Sequence, residues 1–279
     1  MGLVDLRRYP IDRPGTAAYE EVVARARAGL RADGCAVIEG LLREDVLETI
    51  DRESAALLDR AHVNDIQSNP YSTRPDPSLP QDHPVNLFLE RTNAFVPTSE
   101  IPRRNPLRRL YHDAVFKRFV ADCLERSSVH EYADPFAALV LNLLRPGCQH
   151  PWHYDTNEFI VSTLVHGADE GGVFEYCPQI RSTNHENFDA VRRVIQDEDR
   201  GPVRQLRLRP GDLQLFRGRF SLHRVTRVGG ASARVTAIFA YADRPGVVGK
   251  VERTRQLFGR VAPEHLAAAN QRRTDGLVD

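Results

Sequence analysis

The sequence predicts a mainly β protein with flanking helices, its strands arranged as an antiparallel sandwich or jelly roll. Two observations lead there. Residues 1–134 carry apolar positions at helical intervals, and residues 135–243 carry short apolar runs separated by Gly and Pro turns. Many short β segments of that kind suit stacked antiparallel sheets better than strands alternating with crossover helices.

At 279 residues the chain is long enough for one substantial core, and one domain is the simplest expectation. It divides into an N-terminal helical support and rim loop (1–134), a jelly-roll core (135–243) and a C-terminal docking segment (244–279). Hydrophobic residues make up 41% and charged residues 27%, an ordinary globular mixture. Lys and Arg total 38, as do Asp and Glu, so no net field draws the chain to nucleic acid or to an anionic membrane. Residues 1–10 lack the basic and apolar blocks of a signal peptide, and no apolar stretch reaches spanning length. A cytoplasmic protein is expected. Cys35, Cys123, Cys148 and Cys177 lie too far apart for a zinc knuckle or a short disulfide framework and are expected as reduced thiols.

Along the chain, residues 17–30 read as a helix ended by Asp33-Gly34, 35–38 as a strand, and 44–61 as a second helix. Residues 62–84, with five prolines, read as an irregular excursion at an active-site rim. Residues 86–93 approach a strand, and 106–127 form a third helix with Leu110, Val115, Phe119 and Leu124 on one face. Strands are expected at 136–144, 159–165, 172–176, 203–208, 212–216, 223–228 and 234–240, interrupted by a helix at 187–195. Helix-like stretches at 254–258 and 263–271 close the chain.

The chemistry gathers in QHPWHYDTNEF and FSLHRV. In a strand, His153 and Asp155 project to one side while Tyr154 faces away. His223, arriving from another strand, would complete two imidazoles and one carboxylate around a metal with open positions, the pattern suited to redox iron; spacing alone also admits zinc or manganese. An isolated His-x-Asp is more often an ordinary hydrogen-bonded pair. What raises iron is SARVTAIFAYAD, where Arg234 and Thr236 share strand parity. A guanidinium there, helped by the threonine hydroxyl, can clamp the distal carboxylate of 2-oxoglutarate, a charge too costly to leave unpaired in a dry pocket.

With these residues the chain resembles the Fe(II)/2-oxoglutarate-dependent dioxygenases, whose pattern H-x-D…H followed by Arg-x-Ser/Thr is matched by His153, Asp155, His223, Arg234 and Thr236. The resemblance covers residues 136–242 and implies a double-stranded β-helix of cupin-like jelly-roll form. WHYDTNEFIVSTLV, GGVFEYCP and PGDLQLFRGRFSLHRV are similar to a bacterial branch of free-amino-acid hydroxylases and radical halogenases. Halogenating members of that branch carry a small residue in place of the metal-binding carboxylate, so Asp155 implies hydroxylation rather than chlorination.

The implied ligands are Fe(II), with 2-oxoglutarate and O2 as cosubstrates. The implied partner is an amino-acid-like small molecule, with no nucleic acid and no membrane; a homodimer is compatible with the sequence. Arg91 and His150 are implied to hold polar groups of the substrate. Desaturation or cyclisation would start from the same hydrogen abstraction. A metal-dependent isomerase or hydrolase, or a non-catalytic small-molecule-binding jelly roll, is the alternative. Nearby, Asn142 and Gln149 could donate to a metal-bound oxygen or satisfy the local turn, Trp152 and Tyr154 could wall the pocket or pack outside it, Glu158, Thr163 and Glu175 face inward if the strand register holds, Arg217 and Arg219 could meet a substrate carboxylate or pair at the surface, and residues 253–259 form a docking segment touching the pocket.

Overall fold

The computed structural model of the chain describes residues 2–268 and 277–278. Helix Ala17–Asp33 starts where the Thr16 hydroxyl accepts from the Tyr19 amide, and stops at Gly34, whose left-handed backbone (φ 63°) lets the chain reverse. Its buried face of Tyr19, Val22, Val23, Ala26 and Leu30 packs beside strand Cys35–Ile38. Helix Glu44–Ala55 ends short of residue 61, and a 3-10 turn, Leu58–Arg60, with strand His62–Val63 takes the remainder.

The expected helix 106–127 is two helices, Pro106–His112 and Ala114–Cys123. Asp113 divides them because it caps the second: its carboxylate accepts from the amides of Val115 (2.9 Å) and Phe116 (3.1 Å). The proline-rich stretch is also more ordered than expected. Ile66–Ser68 pairs with Leu89–Arg91. Asn69 then ties the loop, donating to the Val85 carbonyl at 2.6 Å and accepting from the Tyr71 and Thr73 amides, both at 3.1 Å.

Two antiparallel sheets dominate. The larger has seven strands in the order Cys35–Ile38, Leu213–Phe216, Ile160–His166, Arg234–Phe239, Leu139–Leu144, Ala94–Val96, His62–Val63. The smaller has four, in the order Arg204–Leu206, Phe174–Cys177, Leu222–Val225, His150–His153. Their inner faces meet at Phe174 and Phe216, whose rings cross edge to face at 5.2 Å, within a cluster that also holds Cys35, Leu144, Tyr176 and Val225. The larger sheet's outer face carries the main core, joined by Phe116, Phe119 and Val120 of Ala114–Cys123. On the smaller sheet's far side, Trp152, Tyr154, Cys177 and Leu222 pack with Val191 and Val194 of helix Phe188–Ile195.

Neither sheet closes on itself, and among the described residues no ladder joins one sheet to the other. The expectation of a mainly β double-stranded β-helix, jelly-roll and cupin-like, is therefore corrected: the architecture is mixed α/β, with open facing sheets and helices. Closure needs matched strand tilt and stagger. The edge strands are only two to four residues long, and alternation in a sequence sets which face is buried, not whether edges meet. The last helix among the described residues is Pro263–Ala267; positions 269–271 of the expected helix 263–271 lie outside the described residues. No described helix is long and apolar enough to cross a membrane.

Asp113→Ala removes the cap between two core-packed helices. It should cost about 1 kcal/mol of stability, read as a lower urea midpoint with an unchanged slope.

Candidate active site

Two cross-strand neighbours start the site. His153 ends strand His150–His153 and stands opposite His223 in the ladder with Leu222–Val225. Opposed residues of a sheet project to the same face, and the two rings lie 4.1 Å apart. Main chain fixes both rings: His153 Nδ1 is 2.7 Å from the Pro151 carbonyl oxygen, and His223 Nδ1 is 2.9 Å from that of Ser221. A carbonyl only accepts, so each Nδ1 carries the proton and each Nε2 keeps the lone pair that a metal requires.

Asp155 arrives by another route. The strand ends at His153, so strand parity does not bring the carboxylate in; a pinned loop does. The Tyr154 amide donates to the Pro70 carbonyl at 2.9 Å and the Asp155 amide to the Gly218 carbonyl at 3.1 Å. The carboxylate lies directly over Gly218, where an added Cβ would fall 1.7 Å from Oδ2. Asp155 Oδ2 is 3.4 Å from His223 Nε2, and one ligand atom from each of His153, Asp155 and His223 lies within 4.8 Å of the others. This is a two-histidine, one-carboxylate facial triad consistent with an Fe(II)/2-oxoglutarate site.

The facing sheet supplies Arg234 and Thr236, which share a face of strand Arg234–Phe239. Arg234 NH1 donates to Thr236 Oγ1 at 2.5 Å. Burial alone pulls this guanidinium down to about 10, and among the described residues no carboxylate opposes it. A buried, unpaired cation beside a triad with open positions fits the far end of a dicarboxylate cosubstrate.

Arg91 and His150 reach the same cavity, of about 250 Å³, lined also by Phe95, Ile238, Leu257 and Phe258. Arg91 is 1% exposed. Its Nε donates to Asn93 Oδ1 at 2.9 Å, and Asn93 donates on to Asn142 Oδ1 at 2.9 Å, while both terminal nitrogens lack a partner. His150 stacks on His153 at 3.7 Å, with its Nε2 unpartnered. Burial, then neighbouring His153 and Arg91, holds His150 well below 6.5; burial, then His223 and Arg91, does the same to His153. Burial raises the Asp155 carboxyl, against the pull of His223, Arg253 and Arg91.

Other candidates lie elsewhere. Gln149 donates to Glu90; Trp152 and Tyr154 are buried beneath Arg224 and Arg181. Glu175 is enclosed by Arg200, Arg224 and Gln205, Glu158 pairs with Arg126, and Thr163, Arg217 and Arg219 do not line this cavity. One residue was not foreseen in its role. Gly218 makes room for Asp155, and its signal was a lone glycine between Arg217 and Arg219, a mark of close approach. From the segment 253–259, expected to touch the pocket, Arg253, Leu257 and Phe258 of helix Val251–Phe258 line the cavity.

Facing sheets and a two-histidine, one-carboxylate triad together define a class, the Fe(II)/2-oxoglutarate oxygenase superfamily, and the chain is a 2-oxoglutarate-dependent dioxygenase. Within that class it belongs to the Halogenase D (HalD) family, whose model matches residues 18–257. Among solved structures it is similar to a 2OG-Fe(II) oxygenase family oxidoreductase from Burkholderia pseudomallei, at 17% identity and TM-score 0.51, covering 80% of this chain and 91% of that one. It is also similar to SnoN, the α-ketoglutarate-dependent epimerase of nogalamycin biosynthesis (14%, TM-score 0.55, 80% and 83%). EctD from S. alaskensis, solved with 2-oxoglutarate and 5-hydroxyectoine, is a further relative in fold (18%, TM-score 0.51, 78% and 75%). At these identities the likeness is one of fold. No curated protein matches the sequence at a significant level.

Gly218→Ala should displace the Asp155 carboxylate and lower divalent-metal affinity by roughly tenfold or more, measured by equilibrium dialysis with Mn(II). The metal-free protein should also be acid-sensitive. His150 and His153 have native pKa values below 6.5, so below that pH the unfolded chain binds protons the native one refuses, and stability falls as pH drops through 6.5. Thermal unfolding between pH 8 and 5 checks this, and His150→Gln should flatten the slope.

Proposed function

We propose that the chain hydroxylates an unactivated C–H bond of a small polar metabolite, a free amino acid or a derivative of one, using Fe(II), 2-oxoglutarate and O2. His153, Asp155 and His223 hold the ion through the two Nε2 atoms and a carboxylate oxygen. Arg234, steadied by Thr236, takes the far carboxylate of 2-oxoglutarate. Arg91 and His150, with unpartnered nitrogens facing the cavity, take polar groups of the substrate.

When bound, the ferrous ion and 2-oxoglutarate supply the oxidising power, coupled to decarboxylation to succinate. The chain's own residues position and exclude. The apolar wall of Phe95, Ile238, Leu257 and Phe258 keeps the substrate carbon in a dry chamber, and the polar groups at Arg91 and His150 set which carbon faces the triad.

The observation that carries this reading is the pairing of the triad with Arg234, a buried guanidinium on the facing sheet that donates to a neutral hydroxyl. A passive binding barrel or a hydrolytic zinc site has no use for that second cation. Asp155 supports oxygen insertion over halogenation, since its carboxylate already occupies the place beside Gly218.

Protein reconstituted with Fe(II) without oxygen, then given O2, 2-oxoglutarate and an amino-acid panel, should form succinate in step with a substrate mass gain of about 16 Da. With chloride present the gain should stay there and not become about 34 Da; a loss of about 2 Da would instead mean desaturation. His153→Ala should abolish metal occupancy and turnover together. Arg234→Ala should weaken 2-oxoglutarate far more than Mn(II), and equal cosubstrate affinity in mutant and parent would reject the clamp.

A further inference from the structure

The ligands proposed above leave charge in the cavity unanswered. A divalent ion and Arg234 balance Asp155 and the two carboxylates of 2-oxoglutarate. Four further cations line it, Arg91, Arg244, Lys250 and Arg253, and Asp155 is the sole acid among the described lining residues; of the four, Arg91 and Arg253 are the ones whose charge reaches Asp155. Arg91 bonds only to Asn93 and leaves both terminal nitrogens free in a buried position. Arg253 donates to Ser72 Oγ at 2.6 Å and Gln256 Oε1 at 3.1 Å, both neutral.

The two guanidiniums stand close enough that Arg253 disfavours the charge on Arg91, with burial the larger cause. Each comes from a different element, strand Leu89–Arg91 and helix Val251–Phe258, so the pairing is a property of the fold rather than of one charged run. Buried cations of this kind are retained where a ligand brings the counter-charge. A basic side chain would meet the opposite situation: its nearest acid, Asp155, is committed to the metal.

Resting on the function proposed above, we propose that the substrate is a small amino acid with a second, side-chain anion. Arg91 and Arg253 each take one of its carboxylates. Thr156 and Asn157, which line the same cavity, offer neutral oxygens to the ammonium.

The test reads binding, not turnover. Protein loaded with Mn(II) and 2-oxoglutarate without oxygen is titrated calorimetrically with L-aspartate, L-glutamate and L-2-aminoadipate, with asparagine and glutamine as neutral isosteres and with L-lysine. At least one acid should bind roughly tenfold or more tightly than the amides and lysine. Arg253→Gln should erase that preference, and Arg253→Lys should keep most of it, which separates charge from folding. Amides binding as tightly as acids, lysine binding best, no acid binding, or Arg253→Gln discriminating like the parent would each overturn the proposal. Failure here with 2-oxoglutarate still bound sinks only the substrate class; loss of 2-oxoglutarate binding in the parent would sink the oxygenase reading beneath it.

Discussion

Two hydrogen bonds from imidazole to main chain decide what this cavity can do. Each Nδ1 proton of His153 and His223 is committed to a carbonyl two residues earlier in the chain, so both Nε2 lone pairs are set toward one point before any ion arrives. A sheet does the rest. The cross-strand pairing of the two residues brings the rings to one face, and burial keeps His153 neutral and able to ligate. The carboxylate is the one ligand that a loop delivers, and it depends on the absence of a side chain at Gly218. The site therefore stands on a ladder, two carbonyls and a glycine.

Charge organises the remainder of the chamber. Smaller and larger sheets contribute opposite halves of the chemistry, the two imidazoles from one and the Arg234 guanidinium from the other. Elsewhere buried charge is paired: Arg181 with Glu186, and the buried Glu175 with the more exposed Arg200 and Arg224. Against that pattern, the buried Arg234 and Arg91 and the half-buried Arg253 have only neutral hydrogen-bond partners among the described residues, all three in one cavity. Uncompensated buried cations are costly, and their confinement to the chamber beside the triad ties the cost to what the chamber receives.

Much of this was legible before any coordinates. Period-3.6 patterning marked Ala17–Asp33, and the strands Leu139–Leu144, Ile160–His166, Leu213–Phe216 and Arg234–Phe239 fall close to the apolar runs that predicted them. The convergence of His153, Asp155 and His223 followed from ligand chemistry, yet the reason given for Asp155 was wrong, because local alternation cannot say where a strand stops. Sheet closure was misjudged for a related cause: it depends on stagger between distant edges, to which periodicity is blind. Asp113 could have been read as a cap, its side chain being an N-cap type between two apolar faces. Arg253 was legible only as part of a segment touching the pocket, since an arginine's partner is set by the tertiary structure alone.

The most direct measurement of the central claim is a crystal structure of the protein with Mn(II) and 2-oxoglutarate. The account requires one ion bonded to His153 Nε2, Asp155 and His223 Nε2, with the distal carboxylate of the keto acid on Arg234 and Thr236. An ion bound elsewhere, or a keto acid seated on Arg91 and Arg253 with Arg234 untouched, would contradict it.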